Sequence, residues 1–215
     1  MNMNGDIKSL YRIAVLAACV AAVALLIGGV ALAISSGVTA ASVDQLLESI
    51  YQNLLIFTVG SVAIILVNLS DMFTVPGLVA ALWKDSRAMT GMAAISAVVG
   101  DLLGVTGGLI QAALIPMSQA QTIPDSSSVQ TVVFLESTFS TAGFLLVGVS
   151  FLLFGFSILR GKFGKWIGWV AITAGVFSIL GQIPVLAMLF MLANLAYLLW
   201  YIGLAARFSR LVKNP

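Results

Sequence analysis

From Ile13 to Ile34 the chain runs for 22 residues without a charge, and comparable uncharged runs recur along its length. About 20 apolar residues in a helix cross the roughly 30 Å hydrocarbon core of a bilayer, so this patterning restricts the chain to a bundle of membrane-spanning helices. Composition agrees: 60% of residues are hydrophobic and 8% charged, where a soluble domain carries about 25%. Six spans are predicted at about 13–34, 60–83, 89–115, 139–159, 166–182 and 186–206, all in one integral membrane domain. A signal peptide would also show a basic start and an apolar run, but this run exceeds the usual core of about 7–15 residues, so the first span is read as uncleaved.

All ten Lys and Arg residues lie in four short segments: Lys8 and Arg12, the turn Lys84–Arg87, the turn Arg160–Lys165, and Arg207 onward. The other connections have none. With six spans these segments fall on one side, and the positive-inside rule makes that side the cytoplasm, with both termini there. The expected location is a bacterial cytoplasmic (inner) membrane.

No histidine occurs, and the one cysteine, Cys19, sits in an apolar run. This excludes disulfides, Cys/His zinc sites and histidine-dependent catalysis; Cys19 reads as a packing residue. No phosphate-binding loop and no basic, aromatic nucleic-acid surface is present. The expectation is no cofactor, no metal and no nucleic-acid partner.

Ser42-Val43-Asp44-Gln45 reads as a capping box. After it, Val43, Leu46, Leu47, Ile50 and Leu54 share one helical face opposite Asp44, Glu48 and Gln52. Such a helix suits the membrane interface or the mouth of the bundle, outside the spans. Pro76 lies within span two and denies the Met72 carbonyl its usual partner, so a kink is expected one turn beyond Asp71. Pro116 is expected to stop span three, with a loop over 117–128. Glu136 reads as interfacial and solvated.

Two aspartates fall within the spans. Asp71 is 13 residues from Lys84 and Asp101 is 14 from Arg87, so both lie about 20 Å from the charged turn, at matching depth on antiparallel neighbours. Ionisable groups at that depth indicate function by default. Asn194, 13 residues from Arg207, and Ser178, 13 from Lys165, fall in the same layer. Asn68 is one turn from Asp71 and within reach of a hydrogen bond to it. Ala97, Asp101, Gly104, Gly108 and Gln111 follow helical spacing down one face, and Gly100-x-x-x-Gly104 lets a neighbouring backbone approach. Asp71, Asp101, Asn68, Gln111 and Asn194 together form the candidate proton, ion or polar-ligand site. No lysine or arginine is within reach, so two acids at one depth are expected to share a proton.

Arg12-Ile13-Ala14-Val15-Leu16, Asp71, and the stretch Gly148-Val149-Ser150-Phe151-Leu152-Leu153-Phe154-Gly155 through Leu159-Arg160 to Gly164-Lys165-Trp166-Ile167-Gly168 resemble a family of bacterial six-span membrane proteins that carry a domain of unknown function. The likeness covers nearly the whole chain and implies the six-span architecture; with no activity established for that family, it implies nothing about mechanism. The chain departs from the family in lacking a basic residue between Ala88 and Ile115.

Three functions fit the residues. The most economical is a non-catalytic membrane protein that binds lipid or a partner, including a second copy, through its glycine-rich helix faces. The second is a small proton-linked transporter or permeation module using Asp71 and Asp101. The third is an intramembrane aspartyl protease, which Val98-Val99-Gly100-Asp101 resembles apart from Val98; Ser70 stands where that family has tyrosine, and its Pro-Ala-Leu motif is missing. The expectation is that the chain is not an enzyme.

Overall fold

The computed structural model describes residues 3–35, 42–120, 125–161, 163–186 and 188–213. Ser36, Gly37, Pro124 and Lys162, which the sequence places in connections, lie outside them. Among the described residues there is no strand. The helices are α1 (Met3–Ser35), α2 (Val43–Gln52), α3 (Leu54–Leu82), α4 (Arg87–Ala112), α5 (Leu114–Ser118), α6 (Ser126–Arg160), α7 (Lys165–Leu180) and α8 (Met188–Lys213), with a 3-10 turn at Pro184–Leu186 before α8. Five helices are long and apolar enough to cross a membrane, namely α1, α3, α4 with α5, α6 and α8. This is the make-up of a multi-pass membrane protein. The sixth apolar helix, α7, has 16 residues and is about 24 Å long.

Each apolar helix packs on its neighbours in chain order: α1 on α3, α3 on α4, α4 on α6, α6 on α7, α7 on α8, and α8 back on α1. The six therefore close into a ring. Glycines set its tightest contacts. Along the antiparallel pair α6 and α7, Gly148 meets Gly175 and Gly155 meets Gly168, and a Cβ at Gly175 would lie 2.6 Å from the Gly148 carbonyl oxygen. Between α4 and α6, a Cβ at Gly143 would lie 3.0 Å from the Gly100 carbonyl oxygen, so the Gly100–Gly104 face meets α6 as its spacing predicts. The glycine face of α4 is thus occupied within the chain.

The helix boundaries follow local chemistry. Ser42 caps α2 by accepting a hydrogen bond from the Gln45 amide at 3.3 Å, as the capping box predicts. Leu47 and Ile50 of α2 bury against Phe57, Leu114 and Val129 from α3, α5 and α6. Pro116 is not where span three stops: α4 ends at Ala112 and Pro116 sits inside α5. The reason is that Pro116 has no N–H for the Ala112 carbonyl four residues earlier, so the ladder breaks there, while a proline is tolerated in the first turn of the next helix. Pro76 leaves α3 unbroken.

The two ends of the ring differ. At one end, Arg160 donates to the Met89 sulfur at 3.1 Å, Arg207 lies 5.7 Å over the Phe163 ring, and Phe208 packs on Tyr11 and Phe163 with centroids 5.7 and 5.5 Å apart. The described basic residues of the turns and termini gather there, over an aromatic core that includes Phe154 and Trp200. The cluster around α2 and α5 covers the other end. The packing role read for Cys19 needs correction. Cys19 is exposed on the outer face of α1, because that face of an apolar run has no protein neighbour. Trp200 and Tyr201, near the end of the last span, are inside the bundle at 1% and 3% exposure.

Candidate functional site

The ring encloses a cavity of about 400 Å³ whose walls come from α1, α3, α4, α6 and α8. All five residues of the sequence-predicted site line it: Asn68 and Asp71 from α3, Asp101 and Gln111 from α4, and Asn194 from α8. Asp101 and Gln111 are ten residues apart on α4, so the cavity extends about 15 Å along the bundle axis. Ser178, placed in the same layer by depth, does not line it. Its hydroxyl donates to the Phe144 carbonyl at 3.1 Å and ties α7 to α6.

The two aspartates are both buried and are held differently. Asp71 has a donor on its own helix: the Thr74 hydroxyl donates to its Oδ1 at 3.0 Å and to its backbone carbonyl at 2.8 Å, and the Tyr201 hydroxyl of α8 lies near the carboxyl. Asp101 is 1% exposed, and its Oδ2 has no hydrogen-bond partner among the described residues. The two carboxyls lie within electrostatic range of one another.

Asn68 does not bond Asp71. Its Nδ2 donates to the Ile64 carbonyl of its own helix at 2.9 Å, and its side chain occupies the space that a Cβ at Gly104 would need. The absence of a side chain at Gly104 therefore gives Asn68 room against α4. Asn194 is held in the same manner, donating to the Phe190 carbonyl at 3.0 Å. Gly100, which precedes Asp101 in the Gly-Asp pair, has a packing reason of its own: a Cβ there would lie 2.8 Å from the Val147 side chain.

Glu136, read from the sequence as interfacial and solvated, and two tyrosines that the sequence reading passed over complete the walls. Glu136 is half-buried and lines the cavity near Gln111 instead of standing in solvent, with Ser140 donating to its Oε1 at 2.8 Å. Tyr197 and Tyr201 line the cavity beside the aspartates. The Tyr197 hydroxyl approaches Ser178 without reaching hydrogen-bond geometry and is left buried and unpaired among the described residues. A signal for α8 was available: Phe190, Asn194, Tyr197 and Tyr201 are spaced four, three and four apart, which is one face of a helix.

The charged groups lining the cavity are all acidic: Asp71, Asp101 and Glu136. Such a lining is complementary to positive charge and repels anions, since a buried carboxylate needs a compensating proton or cation. Among the described residues no group of three or more potential ligands is placed to hold a metal ion. No protein-family model matches the chain, and no curated protein or solved structure is significantly similar to it.

Proposed function

We propose that the chain is a six-span protein of the bacterial cytoplasmic membrane, with both termini in the cytoplasm, that binds a small ligand inside its helical ring and exchanges it for protons. The observation that carries this reading is the single cavity lined by all five polar site residues, with an unpartnered Asp101 oxygen in its wall. Packing alone would call for polar groups that satisfy one another. Two acids facing one low-dielectric space are neutralised by a proton or by a ligand cation, and alternation between these two is the basis of exchange. The aromatic core closes the cavity toward the basic, cytoplasmic end, and Gln111 and Glu136 lie toward the opposite end. In this reading α7, whose length falls short of a full crossing, forms the fifth of the six spans together with the 181–186 segment, and α2 lies outside the spans. The mechanism is non-catalytic.

The test is proton movement in vesicles reconstituted with the full chain. An imposed pH gradient should drive uptake that saturates, and Asp71→Asn and Asp101→Asn should each abolish it while eluting as folded protein. Uptake unchanged in both variants would remove the proposal.

Lipid binding keeps one supporting observation, an apolar groove of about 530 Å³ on the outer surface between α1 and α3, lined by Cys19, Val23 and Val62 among others. An acyl chain suits it. Self-association would use such outer surfaces, since the glycine face of α4 is covered by α3 and α6.

A further inference from the structure

We infer that the ligand is a protonated amine with an apolar body, bound by Asp101 and Tyr197 and lying against Phe144 and Phe190. The inference rests on the proton-exchange reading and names the ligand class of that site.

Four observations converge. First, the cavity wall holds two buried polar atoms without partners among the described residues, Asp101 Oδ2 and Tyr197 Oη. Both can accept hydrogen bonds, so the complementary group is a donor with at least two hydrogens, and an ammonium nitrogen provides them. Second, the charged lining residues are all acidic, so an anion would be repelled, and a cation can take the place of a carboxyl proton where a neutral ligand cannot. Third, Phe144 and Phe190 line the same cavity in edge-to-face contact, with centroids 4.7 Å apart. Aromatic walls beside a carboxylate favour a cation that carries apolar surface. Fourth, a volume of about 400 Å³ is that of a small organic molecule and far exceeds a bare ion.

The asymmetry between the aspartates identifies the exchanging group. Asp71 accepts from the Thr74 hydroxyl and is stabilised without a ligand. Asp101 Oδ2 has none, so it is the oxygen that carries the proton in the empty site. Binding is then a balanced exchange: the ammonium ion enters, the Asp101 carboxyl releases one proton to solution, and the net charge of the cavity is unchanged.

The experiment uses the full chain in detergent with 2-phenylethylamine and dibenzylamine as probes, against 2-phenylethanol and 3-phenylpropanoate as neutral and anionic counterparts. Equilibrium dialysis measures binding, and the pH change of a weakly buffered solution measures protons released. Saturable binding of the amines alone is expected, with about one proton released per amine and affinity falling up to about tenfold per pH unit on acidification. Asp101→Asn should abolish both signals. Tyr197→Phe removes a hydroxyl that has no partner, so it should fold normally, and it should weaken amine binding about tenfold, the loss of one charge-assisted hydrogen bond. Amines that bind no better than the alcohol, or that bind both variants as they bind wild type, overturn the assignment. If that happens while Asp-dependent proton uptake persists in vesicles, the ligand class fails and the exchange reading stands. Amine binding that releases no proton overturns the exchange and leaves only an amine site.

Discussion

The Tyr201 hydroxyl of α8 lies near the Asp71 carboxyl of α3, across the interior of a ring in which those two helices are not neighbours. Contacts around the ring fix each helix against the next, whereas this approach relates two helices on either side of α1. Asp71 accepts from Thr74, and Asp101 is the aspartate with an unpartnered oxygen.

Substitution at Asp71 should separate the hydrogen bond from the charge. Asp71→Asn retains an oxygen that accepts from Thr74, so thermal stability in detergent should stay close to wild type while proton movement is lost. Asp71→Leu removes the side-chain acceptor of Thr74, leaving that hydroxyl its backbone carbonyl partner alone, and should destabilise by up to about 1 kcal/mol. Combining Tyr201→Phe with Asp71→Leu should be less than additive, because the two side chains lie near one another and neighbouring residues couple. Full additivity in a double-mutant cycle would show that the two residues do not interact.

The glycine pairs of α6 and α7 should be intolerant of even one methyl group. A Cβ at Gly155 would lie 2.8 Å from the Gly168 carbonyl oxygen and one at Gly175 2.6 Å from that of Gly148, both backbone atoms that cannot rotate away. Gly155→Ala and Gly175→Ala should each destabilise by about 1–3 kcal/mol through overpacking. Gly29 is the control: it lines the cavity, yet nothing lies within 4 Å of a Cβ there. Gly29→Ala should be neutral or slightly stabilising from helix propensity. Melting temperatures of the three variants in one detergent give the comparison.

The sidedness of the chain is checked by reporter fusions. Fusions at Val38 and Asp125 should report outside, and fusions at Ser86 and Lys162 inside, because every basic residue belongs to the second set of segments or to the termini. The Ser86 and Lys162 fusions flank α4–α6 and should agree. A fusion at Gln182 should report outside, and an inside signal there would mean that the 16-residue α7 does not cross.

Depth along each helix could be read from the sequence, because rise per residue is fixed by local hydrogen bonding and needs no knowledge of neighbours. That is why Asp71, Asp101, Asn68, Gln111 and Asn194, chosen by position along their helices, all reach one cavity. The cap at Ser42 and the close approach at Gly100 and Gly104 were legible for the same reason, since each depends on residues within one turn or on the absence of a side chain. Which neighbour each face meets is not a local property. Asn68 turns to its own backbone because Gly104 of another helix gives it room. Tyr201 comes near Asp71 because the ring closes α8 onto α1, and Glu136 is drawn to the cavity by the rotation of α6 against α4. Rotation about the helix axis is set by side-chain packing between segments distant in sequence, and only the assembled ring decides it.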